Sequence, residues 1–130
     1  MSVGGGKNVA LWVVTILLAA AFAFSGGGKL AGLPMYAKSF AAWGYPPWFQ
    51  YFTGAIELGS ALLLLVPRTT FYGALLLVAT MIGAVLTHLT HHQAARVPAP
   101  AVLLVLAGIV AFGRRPSARA SGASGSTLAA

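Results

Sequence analysis

The sequence lacks cysteine and has almost no acidic side chains. Among its 130 residues there is no Cys, and Glu57 is the single carboxylate side chain. The absence of thiols excludes disulfides, thiol redox chemistry and thiolate metal sites. Charged residues make up 7% of the chain, against roughly a quarter in ordinary soluble domains. A soluble domain of this size needs a polar shell, so the scarcity of charge indicates a protein surrounded by lipid.

The charge that is present is basic, with a formal net charge of +7. In a soluble protein this excess would suggest nucleic-acid binding, but no basic face or aromatic stacking platform accompanies it. The Lys and Arg residues lie mostly between or after apolar runs, where they anchor helix ends to lipid headgroups. We therefore expect the lipid bilayer as a partner, and no nucleic acid.

Four apolar segments predict helices that cross the membrane. The first, residues 8–28, contains no charged residue and is long enough for a ~30 Å hydrocarbon core at ~1.5 Å per residue. The others cover residues 48–66, 69–89 and 97–113, the last close to the lower length limit. Because helices satisfy their own backbone polar groups in lipid, the sequence predicts an all-α fold, a four-transmembrane-helix bundle.

The chain outside these segments predicts little further structure. Residues 1–7 are interpreted as a cytoplasmic N-terminus and residues 8–113 as the transmembrane domain. Residues 114–130 consist mostly of Ser, Ala, Gly and Arg, which cannot bury a core, and are interpreted as a disordered basic tail.

The first apolar run has a second interpretation, as a secretory signal peptide. Lys7 precedes the run, and Ala21-Phe22-Ala23 resembles a small-residue cleavage site. The run is longer than a usual signal core and continues past that site. We therefore expect the first helix to be retained.

The connection between the first two spans, residues 30–47, is rich in Pro and Gly. Inside it, Tyr36, Phe40 and Trp43 recur at helical spacing. This pattern indicates either a short interfacial helix on the membrane surface or an aromatic loop that caps the bundle.

The distribution of basic residues predicts the orientation. With four spans, both termini share one side of the membrane. That side holds five basic residues, Lys7, Arg68, Arg114, Arg115 and Arg119. The other side holds three, Lys29, Lys38 and Arg96. The positive-inside rule then predicts cytoplasmic N and C termini.

Glu57 is the most informative residue for function. A carboxylate at the centre of a membrane helix costs roughly 2.5–3.5 kcal/mol on insertion scales, so it usually faces the bundle interior and serves a site. Gln50, Thr53, Gly54 and Ala61 follow the helical period of Glu57 and share its face.

Similar stripes occur on the first and third predicted spans. The stripe on the first span contains Thr15, Ala19, Phe22, Gly26 and Lys29. The stripe on the third span contains Thr80, Ala84, Thr87, His88 and His91. If the stripes converge, the outer half of the bundle holds a polar pocket. Its predicted members are Glu57, Gln50, Thr53, Lys29, Thr87 and His88. Such a pocket either handles protons or a polar headgroup, or fixes helix register through a buried Glu–Lys pair or a protonated Glu57 hydrogen-bonded across helices.

Three histidines lie at the end of the third span. His88, His91 and His92 share a helix face, which suggests metal binding, but a structural zinc site needs four ligands. We therefore expect no metal. His88, the deepest of the three, is the better candidate for proton transfer near neutral pH.

Taken together, these segments resemble the DoxX-like membrane proteins of the wider DoxX family. The resemblance covers about Val9 to Arg115. It is carried by Gly28-Lys29-Leu30, Gly44-Tyr45-Pro46-Pro47-Trp48, Thr53-Gly54-Ala55-Ile56-Glu57-Leu58, Leu63-Leu64-Leu65-Val66-Pro67-Arg68 and Gly83-Ala84-Val85-Leu86-Thr87-His88. It implies a four-span protein of the bacterial inner membrane.

The resemblance also suggests a role. The name-giving member looks like a small subunit of a thiosulfate-oxidising, quinone-reducing membrane complex, and carried over, that role falls on Lys29, Glu57 and His88. The hypothesis is an accessory subunit that binds a quinone or similar amphiphile, with no covalently bound cofactor and with partner subunits that carry electrons.

Two alternatives belong to other classes of protein. One is a small proton-coupled transporter. Small multidrug-resistance transporters also have four spans and one essential intramembrane Glu, but theirs lies in the first span, where this chain has no carboxylate. The other is a purely structural subunit of a membrane complex.

Overall fold

The computed structural model describes residues 2–116, and this part of the chain is helical without any strand. The five α-helices are α1 (Ser2–Leu30), α2 (Pro34–Ala42), α3 (Pro47–Leu65), α4 (Thr70–Thr90) and α5 (Pro98–Arg114), and a 3₁₀ turn covers Ala94–Arg96. Three of the helices begin with proline, whose missing N–H costs nothing in the first helical turn. The prediction of an all-α protein is confirmed. The predicted tail lies outside the described residues from residue 117 onward.

Within residues 2–116, three helical stretches are long and apolar enough to cross a membrane: Gly5–Leu30, Thr70–Thr90 and Ala94–Arg114. Helix α3 is less apolar, because its first half carries Gln50 and Tyr51 and its centre carries Glu57. The apolar stretches agree with three of the four predicted spans. The second predicted span is a helix of 19 residues.

The long helices pack in a ring. Helix α1 lies against α3, α3 against α4, α4 against α5, and α5 against α1, while α2 lies mainly against α3. The centre of the ring is apolar and densely filled. Its largest fully buried apolar side chains are Leu18, Leu64, Leu77 and Val110.

The first and last helices meet near the two ends of the described chain. Arg114 Nη2 donates to the backbone oxygen of Asn8 across 3.4 Å. The same guanidinium lies 5.0 Å from the ring centroid of Trp12. The beginning of α1 and the end of α5 therefore lie at the same end of the ring.

Helix α1 begins and ends outside the apolar run that predicted it. It ends in a Schellman motif, in which the Leu33 amide donates to Gly28 O and the Gly32 amide to Lys29 O, both at 3.1 Å. Gly32 adopts the positive φ of +74° that this motif requires. The sharp reversal leads directly into α2, so the connecting segment is a helix and not a loop.

Candidate functional site

A buried ion pair links α1 to α3. Glu57 is 3% exposed, and Lys29 Nζ lies 3.0 Å from its Oε1 and 3.1 Å from its Oε2. Ser25 completes the arrangement, since its hydroxyl donates to Glu57 Oε1 at 2.7 Å and accepts from Lys29 Nζ at 2.8 Å. The carboxylate thus faces the interior, as predicted, and both of its oxygens have donors.

The ion pair forms where the two helix backbones nearly touch. A Cβ added to Gly26 would lie 2.8 Å from Gly54 O, and one added to Gly54 would lie 2.8 Å from the Cβ of Lys29. This approach brings the short side chain of Ser25 within reach of Glu57. Gly26 belongs to the predicted stripe on the first span, and its function here is close packing.

Gln50 holds the end of α1 to α3. Its Nε2 donates to the backbone oxygen of Lys29 at 3.0 Å, seven residues before Glu57 on the same helix face. The same oxygen also accepts from the Gly32 amide, so it is held both by the last turn of α1 and by α3. Gln50 therefore positions the backbone of Lys29, while Glu57 positions its ammonium group.

A cavity of about 630 Å³ lies between α2, the first half of α3 and the second half of α4. This volume falls within the roughly 300–1,000 Å³ that small-molecule sites occupy. Most of the wall is apolar or aromatic, including Tyr36, Phe40, Phe49, Phe52, Ile56 and Leu76. The polar and charged side chains in the wall include Lys29, Thr53, Thr80, Thr87, His88 and Arg96.

The cavity arises because α3 and α4 touch at one end only. A Cβ on Gly73 would lie 2.8 Å from Ser60 O, so the backbones meet near the α3–α4 turn. A Cβ on Gly83, ten residues further along α4, would meet nothing within 4 Å. At the far end, the Tyr45 hydroxyl and Thr87 Oγ1 are 2.7 Å apart and join the segment just before α3 to α4.

A second polar cluster closes the far end of the cavity. Trp43 Nε1 donates to Gln93 Oε1 at 3.0 Å, and His88 Nδ1 lies 2.9 Å from the same oxygen. Because an amide oxygen only accepts, His88 donates from Nδ1. Gln93 reaches this point because His92 adopts a left-handed φ of 57°, which turns the chain back over α4.

His91 contributes to the same contact between α2 and α4. Its Nδ1 lies 2.8 Å from Thr87 O and its Nε2 lies 3.2 Å from Trp43 O. Among residues 2–116, no group of three or more His, Cys, Asp or Glu side chains is placed to hold a metal ion. His88 and His91 instead connect the end of α4 to Trp43 at the end of α2.

The six predicted site residues fall into two clusters around one cavity. Glu57, Gln50 and Lys29 form the first, and Thr87 and His88 belong to the second. Thr53 lines the cavity between them. No hydrogen bond joins Glu57 to His88 in the described part of the chain. Of the six, Lys29 is the residue whose side chain both pairs with the Glu57 carboxylate and lines the cavity.

The predicted site residues did not include several that the structure adds, among them Ser25, Tyr45, Gln93 and Arg96. Ser25 had a signal, since it precedes Lys29 by four residues and so shares its helix face. Gln93 and Arg96 had none, because their positions depend on the turn after α4.

Comparison with known proteins adds a family. A model of the DoxX-like family matches residues 13–110. The match extends from the first half of α1 into α5 and covers both clusters and the cavity. No curated protein and no solved structure matches the chain.

Proposed function

The chain belongs to the DoxX-like family, and we propose that it binds a quinone or a similar amphiphile as an accessory subunit of a membrane oxidoreductase system. The observation that carries this proposal is the cavity of about 630 Å³ with Lys29 in its wall. Its aromatic and aliphatic lining suits a ring and tail, and its few polar groups suit a head.

In this proposal the protein crosses the bacterial inner membrane four times, with both termini in the cytoplasm. At ~1.5 Å per residue, the 19 residues of α3 extend about 28 Å, close to a ~30 Å hydrocarbon core. Its carboxylate is paired and buried, which removes the main obstacle to insertion. The contact between Arg114 and Asn8 supports an even number of crossings.

The polar residues would have separate tasks. Thr87 and His88 line the cavity and carry groups that can hydrogen-bond the carbonyl oxygens of a quinone ring, and Lys29, whose three N–H donors are used by Glu57 and Ser25, contributes its positive charge to the wall. Glu57 lies behind Lys29 and holds its ammonium group in place. A bound quinone would supply the redox chemistry, with electrons exchanged through a partner subunit.

The test is to purify the full chain in mild detergent and identify extracted quinone by mass spectrometry. We expect quinone with the wild-type chain and at least a roughly tenfold loss in Lys29→Met/Glu57→Gln. This double variant leaves no unpaired buried charge, so it preserves the fold better than either single change. Arg68→Gln, in the α3–α4 turn and outside the cavity, is the matched control.

Added quinone gives a second readout. A ligand that binds only the folded protein raises its thermal stability in proportion to the logarithm of ligand concentration. Wild type and Arg68→Gln should respond, and the double variant should not. Purified protein without quinone, and without a response to added quinone, would contradict the proposal.

The accessory role needs its own experiment. Crosslinking in native membranes should join this chain to a larger oxidoreductase subunit. Quinone binding together with crosslinks only between copies of this chain would support the cavity as the quinone site and contradict the assigned partner subunit.

A further inference from the structure

The side chains that line the cavity carry more positive than negative charge. Glu57 is the single carboxylate side chain of the whole sequence, and both of its oxygens accept hydrogen bonds from Lys29. Arg96 lines the cavity from the 3₁₀ turn after α4. No Asp or Glu remains in this chain to neutralise its guanidinium. The polar end of the cavity therefore carries an excess of positive charge.

The cavity is also asymmetric along α4. Leu76 lines one end and His88 the other, separated by about 18 Å at ~1.5 Å per residue. At the Leu76 end the walls include Leu76, which is 44% exposed, and Ile56, while Phe52, about midway along the cavity, is 52% exposed. At the His88 end stand Arg96 and the hydrogen-bonded polar cluster.

From this arrangement we propose that the cavity selects an amphiphile with an anionic head, a carboxylate or a phosphate. Its head contacts Arg96 and its tail extends past Phe52 and Leu76 toward the lipid. Arginine suits this task, because its planar donors match both anions and its charge is permanent. The inference rests on the proposed function in its wider form, an amphiphile in this cavity, and it names that amphiphile as one with a negatively charged head in place of the neutral ring of a quinone.

A simpler role for Arg96 is to anchor the protein to any surrounding headgroups, as basic residues near span ends do. The two roles differ in where the tail lies. An anchoring contact leaves the tail in bulk lipid, whereas selection by the cavity places it against the aromatic wall near Trp43.

Trp43 provides the probe, because it lines the cavity. The sequence contains three tryptophans, so Trp12→Phe/Trp48→Phe leaves Trp43 as the single indole. The full chain in detergent micelles is titrated with dibromostearic acid and with its methyl ester under mildly alkaline conditions. Bromine quenches tryptophan only at short range, and the two probes share one tail but differ in charge.

We expect the acid to quench Trp43 at a concentration roughly tenfold lower than the ester, the effect of one charged hydrogen bond. Arg96→Gln should remove this difference, while the control Arg68→Gln should keep it. Brominated phosphatidylglycerol against brominated phosphatidylcholine repeats the comparison for a phosphate head. Selectivity in one pair but not the other supports the inference and identifies the anion.

The remaining outcomes overturn it in distinguishable ways. Equal quenching by acid and ester would refute anion selection while leaving an amphiphile site. Selectivity that persists in Arg96→Gln would refute the assignment to Arg96. No quenching by any probe, beyond that of a variant with Trp48 as the single indole, would refute the cavity as an amphiphile site and the proposed function with it.

Discussion

Helix α3 is packed differently on its two sides. Toward α1, Gly54 lies against Gly26 with no room for a methyl group, and Glu57 is sealed against Lys29. Toward α4 at the same level, Thr53 and Ile56 face an open cavity. One helix therefore has a closed side that carries charge and an open side that is mostly apolar.

The difference reverses a simple expectation. A buried carboxylate in a membrane protein suggests that the ligand contacts it directly. Here the carboxylate lies on the closed side, where its oxygens accept hydrogen bonds from Lys29 and Ser25. The residue that extends from the closed side to the open one is Lys29, which also lies 4.6 Å from the ring centroid of Tyr36 in the cavity wall.

The largest expected effect comes from breaking the closed side at its charge. Glu57→Ala leaves the ammonium of Lys29 buried with Ser25 as its remaining hydrogen-bond partner, and should lower the free energy of unfolding by about 3–5 kcal/mol. The measurement is a denaturing-detergent titration followed by circular dichroism.

Lys29→Met/Glu57→Ala is the matched control for that change. It removes both charges and should regain most of the lost stability. If the double variant is as unstable as Glu57→Ala, the carboxylate stabilises the fold through something other than Lys29. A loss well under the expected range would indicate that Lys29 turns into the cavity when its partner is removed.

The next prediction compares a glycine on each side. Gly54→Ala places a Cβ 2.8 Å from the Cβ of Lys29 and 2.9 Å from Gly26 O. Neither atom can move without its backbone, so we expect a loss of about 1–3 kcal/mol in the same titration. Gly83→Ala, at the open side of α4, meets nothing within 4 Å and should be neutral or stabilising by up to about 1 kcal/mol. Equal effects at the two positions would mean that the closed and open sides do not differ.

The sequence predicted the closed side well. The helical period alone places Thr15, Ala19, Phe22, Gly26 and Lys29 on one face, and all five are buried. The single carboxylate and a nearby cation on the neighbouring span then have few other partners. Local periodicity and charge pairing are short-range properties, which is why they could be read from the residues.

The open side could not be predicted in the same way. The cavity depends on how far α3 lies from α4, which is set by backbone contact at Gly73 and by the bridge from Tyr45 to Thr87 at the other end. Neither distance follows from the pattern of one helix. The entry of Arg96 depends on a tight turn at His92, whose left-handed backbone has no sequence signal as plain as glycine.

The hydrogen bond between Tyr45 and Thr87, at the far end of the open side, can be removed by deleting a single oxygen atom. Tyr45→Phe removes the hydroxyl that lies 2.7 Å from Thr87 Oγ1 and should cost about 1 kcal/mol of unfolding free energy. It should also let the aromatic wall move, which mass spectrometry after hydrogen exchange would report as faster exchange in α2. Tyr72→Phe, on an exposed part of α4, is the control and should change neither quantity. Unchanged exchange in both variants would show that other contacts fix the width of the cavity.

The smallest expected effect concerns the turn that brings Gln93 and Arg96 to the open side. His92 has a φ of 57°, at the position after the helix end where a Schellman motif favours glycine. His92→Gly should therefore raise the unfolding free energy by about 0.5–1 kcal/mol, since glycine adopts this conformation without steric cost.

Gly44, with a φ of +81° at the equivalent position after α2, provides the reverse test. Gly44→Ala should lose stability by a similar amount, although a Cβ there meets nothing within 4 Å. A loss of stability in His92→Gly would mean that the imidazole itself holds the turn. The end of the cavity would then be closed by a side chain and not by the conformation of the backbone.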